Sequence, residues 1–221
     1  MGEPDGQKRM KASRVTFPCA DLKLEGIYFD GEWEQTAPAV VVCHPHPLYG
    51  GSMRNNVTYA IADALGGVAI AAFLFNFRGV GGSEGSYGGG VAEQQDIAAA
   101  LDWLQGQKGV DKSRLGLTGY SFGAGVALPV ACTDERVKGI ALISPYFETS
   151  PLALLKKCHK PGLILGGTND YEVSQEVVTS YGCQAAGTTR LRIIEGPDHF
   201  WAGYEQEMGQ AVADFFSELF K

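Results

Sequence analysis

The chain has 221 residues, with 25 acidic against 18 basic side chains, a net charge of -7 and 45% hydrophobic residues. At roughly 150 residues per usual domain, this predicts a single domain with one sizeable core. The negative balance excludes the excess of cations that a nucleic-acid or anionic-membrane binder needs.

In chain order, the basic N-terminus (Lys8, Arg9, Lys11, Arg14) is not followed by the apolar block and small-residue cleavage site of a signal peptide. Residues 1–12 are read as a flexible segment and the chain as cytoplasmic. Arg14 to Ala20 and Leu22 to Asp30 alternate as two half-exposed strands that pair antiparallel, with Pro18 marking a sheet edge. Ala39 to Cys43, Ile70 to Phe77, Arg114 to Tyr120, Val137 to Ser144, Gly162 to Leu165 and Arg190 to Ile194 are nearly continuous in apolar character, as parallel strands covered on both faces are. Helical spacing lies between or after them: Val57, Ile61 and Leu65 behind Asn55 or Asn56; Ile97, Leu101 and Leu104; and Met208, Val212, Phe215, Phe216 and Leu219. Pro129 is expected to kink or end the helix that begins at Phe122. This is an α/β pattern, a mostly parallel sheet with helices on both faces. The roughly seventeen residues between Ser144 and Gly162 leave no room for a large cap domain. The longest apolar stretch, Gly66 to Phe75, stops at Asn76, short of the ~18 to 20 residues of a membrane helix. Five cysteines, Cys19, Cys43, Cys132, Cys158 and Cys183, form no C-x-x-C pair and are read as reduced.

Thirty glycines make up about 14% of the chain, twice the usual ~7%, and seven of them fall between Gly79 and Gly90. Two segments fit G-x-S-x-G: Gly119-Tyr120-Ser121-Phe122-Gly123 and Gly81-Gly82-Ser83-Glu84-Gly85. With eleven serines in the chain, about 0.2 matches are expected by chance, so context must choose between them. A nucleophile elbow needs a strand ending at the serine and a helix beginning there. Ser121 has both, whereas Ser83 sits in a glycine loop. A serine hydroxyl also needs a base. Among the four histidines His199, in the loop after the last strand, is best placed; His159 reads as a surface residue. The acid that orients the base should lie on another loop at the same sheet edge. Asp170, after Gly162 to Leu165, meets that condition ahead of Asp198 and Glu172. An oxyanion needs two backbone donors. Phe122 supplies one; in His44-Pro45-His46-Pro47-Leu48 the prolines have no N–H, which leaves His46 first and Leu48 second. A His44/His46 metal pair is the sharper alternative, but no third ligand accompanies it, and no metal is expected. Leu48, Tyr49, Tyr146, Phe147, Tyr171, Phe200 and Trp201 follow strand ends and are candidates for a substrate pocket.

His44 to Gly51, Asn76 to Ser83, the elbow at Ser121, the G-x-x-D at Asp170 and the D-H-F at His199 together resemble the α/β-hydrolase superfamily, in particular its small cap-less bacterial carboxylesterases related to dienelactone hydrolases. The likeness extends over nearly the whole chain. It implies a structural role for Ser83 in an R-G-x-G-x-S segment. Dienelactone hydrolases carry cysteine where this chain has Ser121. The expectation is a cofactor-independent serine hydrolase that cleaves small to medium neutral esters, small-molecule substrates, through an acyl-enzyme. Thioesters and aminoacyl amides are alternatives within that chemistry. A non-catalytic ligand-binding protein on the same scaffold is the alternative outside it.

Overall fold

The computed structural model describes residues 10–33, 35–147, 152–186 and 188–221. Its eight strands are β1 (Lys11–Cys19), β2 (Leu22–Asp30), β3 (Ala37–Cys43), β4 (Ala71–Phe75), β5 (Val110–Tyr120), β6 (Val137–Ile143), β7 (Gly162–Gly167) and β8 (Thr189–Ile194). They form one sheet in the order β1-β2-β4-β3-β5-β6-β7-β8. β1 pairs antiparallel with β2, β2 antiparallel with β4, and the remaining neighbours are parallel. The helices are α1 (Asn56–Gly67), α2 (Glu93–Gln105), α3 (Phe122–Thr133), α4 (Leu152–Lys157), α5 (Gln175–Gln184) and α6 (Glu205–Leu219). No helix among the described residues is long and apolar enough to cross a membrane.

Alternation along the parallel strands splits the core into two layers. On β3, Ala39, Val41 and Cys43 face a cluster with Ile97 and Leu101 of α2 and Phe122 and Ala127 of α3, while Val40 and Val42 face Val57 and Ile61 of α1 and Met208 and Phe216 of α6. The central strands are therefore apolar on both faces, and burying each Phe or Val side chain contributes about 1.5 to 3 kcal/mol. Asn55 starts α1, its side-chain oxygen accepting the Val57 N–H at 2.9 Å. Pro18 sits on edge strand β1, where the missing N–H breaks no ladder.

Three expectations need correction. Lys11 and Ala12 belong to β1, paired with Asp30 and Phe29, so the N-terminal segment does not extend to residue 12; residues 1–9 lie outside the described residues. β5 begins at Val110 instead of Arg114. Of the two outcomes expected at Pro129, a kink or an end, the end is not seen: α3 continues to Thr133, because burial of nearly the whole helix against the sheet outweighs one absent backbone bond.

Parallel strands end at a common edge. β3, β5, β7 and β8 thus deliver the loops that follow them to one rim of the sheet.

Candidate active site

Ser121 stands between β5 and α3 with φ 54° and ψ -119°, in the left-handed region that non-glycine residues rarely adopt. It occupies the N-cap position of α3, yet its hydroxyl caps no helix amide. Instead Ser121 Oγ lies 3.0 Å from His199 Nε2. Two glycines make this turn possible. A Cβ on Gly119 would meet the Gly123 carbonyl at 2.4 Å, and one on Gly123 would meet the carbonyl oxygens of Cys43 and His44 at 2.5 Å. The first lets the chain fold back on itself, and the second lets the end of β3 touch the first turn of α3.

His199 lies five residues beyond β8 and Asp170 three beyond β7. The Nδ1 of His199 is 3.0 Å from Asp170 Oδ2 and 3.1 Å from Oδ1. With Nδ1–H donated to a carboxylate, the lone pair of Nε2 faces the serine hydroxyl. The Asp170 side chain is fully buried. That burial pushes its pKa up, but bonds from His199, the Val173 N–H and the Ser144 hydroxyl outweigh it and hold the carboxyl below its usual range. Asp198 is exposed and accepts the Phe200 and Trp201 amides, shaping the loop that presents His199; Glu172 is also exposed and donates its amide to Asp170. His159 is exposed, away from this group.

Ser144, Tyr120 and Trp201 complete the surroundings, and the sequence motifs do not single out the first two. The Trp201 indole N–H donates to Ser144 Oγ at 3.0 Å, and the Ser144 hydroxyl favours the charged form of Asp170. The Tyr120 hydroxyl donates to the His199 carbonyl at 2.6 Å. Burial raises the Tyr120 pKa, so this donor stays protonated. No local spacing could have revealed these contacts, which join residues 57 and 79 positions apart.

The loop after β3 forms a short 3₁₀ turn, Pro47–Tyr49, whose cap residue His46 packs its ring on Phe122. Leu48 N–H donates to His46 Nδ1 at 3.2 Å. The Leu48 amide is thereby occupied, which leaves His46 as the second oxyanion candidate. The Phe122 amide, at the first position of α3, has no intrahelical acceptor. The His46 ring packs against Tyr49, Tyr87 and Phe122, with Tyr87 Oη 3.3 Å from Nε2. His44 is fully buried, and both its ring nitrogens are engaged: Nε2 accepts the Phe77 N–H at 3.1 Å, and Nδ1–H points to the Pro45 carbonyl at 2.6 Å. Burial lowers its pKa to about 4, and it has no lone pair left for a metal.

The candidate pocket residues divide. Leu48, Tyr49, Tyr146, Tyr171 and Phe200 are exposed on the rim, Tyr171 at 92%. Phe147 is half-buried against Tyr181 and packs the loop. Trp201 is corrected outright: it is 0% exposed and lies in the core beneath the loop, since its indole supports Ser144.

Ser83, the other G-x-S-x-G serine, is buried in a scaffold. Its hydroxyl donates to the Asn76 carbonyl at 2.7 Å and accepts the Glu25 N–H at 3.0 Å. Arg78 in the same loop clamps Asp96, which is fully buried on α2, at 2.6 Å.

The model of the family X-Pro dipeptidyl-peptidase (S15 family) matches residues 34–150. An uncharacterised protein of Rickettsia prowazekii is 36% identical over 210 residues, 91% of this chain and 87% of its own. Among solved structures, an alpha-beta serine hydrolase homologue from Coxiella burnetii superposes with a TM-score of 0.83 at 30% identity, covering 91% of this chain and 96% of its own. An α/β serine hydrolase without lid from Xanthomonas campestris gives 0.82 at 27% identity, covering 93% of each chain. With this fold, these matches and a serine at the turn between β5 and α3, the chain belongs to the α/β hydrolases, within the family described by the S15 model.

Proposed function

We propose that the protein is a serine hydrolase of carboxylic esters, with Ser121 as nucleophile, His199 as base and Asp170 as the group that orients it. The observation that carries this reading is the continuous chain of short contacts from Ser121 Oγ to His199 Nε2 at 3.0 Å and from His199 Nδ1 to Asp170 at 3.0 Å. His199 takes the serine proton as Oγ attacks the ester carbonyl, and Asp170 holds the imidazolium that forms. The Phe122 and His46 amides receive the charge that develops on the carbonyl oxygen. His199 then protonates the departing alcohol. An acyl-Ser121 intermediate remains, and water activated by the same histidine hydrolyses it. No cofactor enters these steps.

Leu48, Tyr49, Tyr146, Tyr171 and Phe200 give the exposed rim a largely aromatic and apolar surface, beside the carboxylates of Glu172 and Asp198, which suits neutral substrates with an apolar acyl or alcohol group of small to medium size. The free cysteines among the described residues accord with a cytoplasmic setting. A second reading, hydrolysis of an X-Pro peptide, is favoured by the family model over residues 34–150.

Wild type and Ser121→Ala, assayed on p-nitrophenyl esters of increasing acyl length, an acyl thioester and an X-Pro p-nitroanilide, test both readings. The ester reading expects the highest kcat/KM on a short or medium p-nitrophenyl ester, lost in Ser121→Ala. Preference for the anilide would overturn it in favour of the peptidase, and preference for the thioester would move it to that bond. Turnover unchanged by Ser121→Ala would remove Ser121 from the chemistry.

A further inference from the structure

Ser121, Ser144 and Trp201 each have a positive φ, at 54°, 40° and 60°. A residue with a side chain keeps such a backbone only where surrounding contacts over-determine it. The loop that carries His199 is tied down on both sides of that residue. Before it, the Gly196 N–H donates to Thr168 Oγ1 at 2.9 Å, and the Pro197 carbonyl accepts the Asn169 N–H at 3.0 Å. After it, the Phe200 carbonyl accepts Asn56 Nδ2 at 3.1 Å, and the Trp201 indole N–H reaches Ser144 Oγ at 3.0 Å, just beyond the end of β6. Between them, the His199 carbonyl accepts the Tyr120 hydroxyl at 2.6 Å.

Tyr120 is the last residue of β5 and the neighbour of Ser121. The strand that presents the nucleophile therefore also grips the backbone of the base, through one peptide bond and one phenol ring. That ring is 2% exposed, belongs to the same core layer as Ile143, Ile194 and Trp201, and lies 5.5 Å from the imidazole, centroid to centroid. Packed in this way, it is a stiff spacer with two torsions. Burial and the nearby Asp170 and Asp198 carboxylates keep its hydroxyl protonated, so the bond persists at any working pH. The contact from His199 Nε2 to Ser121 Oγ cannot serve as the hold, because it is broken whenever the imidazole turns its proton to a leaving alcohol. Asp170 steadies the ring at Nδ1, and something else must steady the chain that carries it.

We propose that Tyr120 is a positioning residue for the base: its hydroxyl, bonded to the His199 carbonyl, fixes the distance from His199 Nε2 to Ser121 Oγ, while the Trp201–Ser144 bond holds the far side of the same loop. This rests on Ser121 as nucleophile and His199 as base. Tyr120→Phe keeps the ring, the core packing and the substrate rim and removes only the bond. The loss should therefore fall on the chemical step and leave substrate binding nearly untouched.

Tyr120→Phe is compared with wild type in three readouts: steady-state kinetics on the preferred ester, the second-order rate at which a fluorophosphonate labels Ser121, and the downfield proton NMR resonance of His199 Nδ1–H. The expected result is a fall of about 10- to 100-fold in both kcat and labelling rate, KM within about twofold of wild type, and a broadened or shifted Nδ1 proton. Thermal unfolding establishes that the variant is folded; should it not fold, Trp201→Phe, which breaks the other bond of the loop, is read in the same way. Labelling needs no substrate, so the result stands whichever acyl bond the enzyme prefers. A folded variant with wild-type labelling and kcat would overturn the proposal. A raised KM at unchanged kcat, or slower rates with the Nδ1 resonance unaltered, would overturn it as well. Wild type that takes no label removes instead the assignment of Ser121 and His199, and the role of Tyr120 falls with it.

Discussion

Ser121 and Ser83 sit in the same five-residue pattern and have opposite fates. Both are 7% exposed, so burial does not separate them. Ser121 is the one residue between a strand and a helix, has a positive φ, leaves its helix uncapped and directs its hydroxyl to an imidazole. Ser83 gives its proton to a backbone carbonyl and its lone pair to a backbone amide, which ties the loop after β4 to β2. The motif supplies small residues around a hydroxyl; the elements on either side decide whether that hydroxyl does chemistry or bracing.

The largest effects are expected at Ser121, the proposed nucleophile. Ser121→Ala should lower turnover by 10⁴ to 10⁶-fold, an order-of-magnitude range, with thermal unfolding nearly unchanged. Asp170→Asn should lower it by on the order of 10⁴ by removing the carboxylate that fixes the imidazole, which steady-state kinetics on the preferred ester would read. On the bracing side the effects belong to stability. Arg78→Met leaves the fully buried Asp96 carboxylate without its cation and should cost about 3 to 5 kcal/mol in urea unfolding.

His44 links the two regions, since its Nε2 accepts the amide of Phe77 at the entrance to the Ser83 loop. Its pKa falls from 6.5 to about 4 on burial. The unfolded chain therefore binds a proton across that window when the folded chain does not, and stability rises with pH through it. Acidification from pH 7 to pH 4 should remove about 3 kcal/mol through this residue, and unfolding of His44→Asn should show a correspondingly shallower slope. The smallest expected effect is Ser83→Ala, at about 1 to 3 kcal/mol of stability for the buried groups it strands, with kcat per folded molecule kept.

That Ser121, Asp170 and His199 would meet was legible because each follows an apolar strand, and strands of one parallel set end at one edge. The elements that escaped have weak local signals. α5 buries only Val178 among its residues, so no apolar stripe marks it, and α4 is six residues long. The start of β5, residues 110–113, contains Asp111 and Lys112 and reads as a loop, although it completes the strand beneath Ser121. Ser144 and Tyr120 reach the site through contacts across the fold, and Trp201 follows His199 closely enough to look like a pocket wall while its ring turns into the core.

Stoichiometric labelling with a fluorophosphonate, followed by peptide mapping, reads out whether Ser121 is the nucleophile. One label per chain is expected on the peptide that contains Ser121, kept in Ser83→Ala and lost in Ser121→Ala. A label on Ser83, or one that survives in Ser121→Ala, would contradict it.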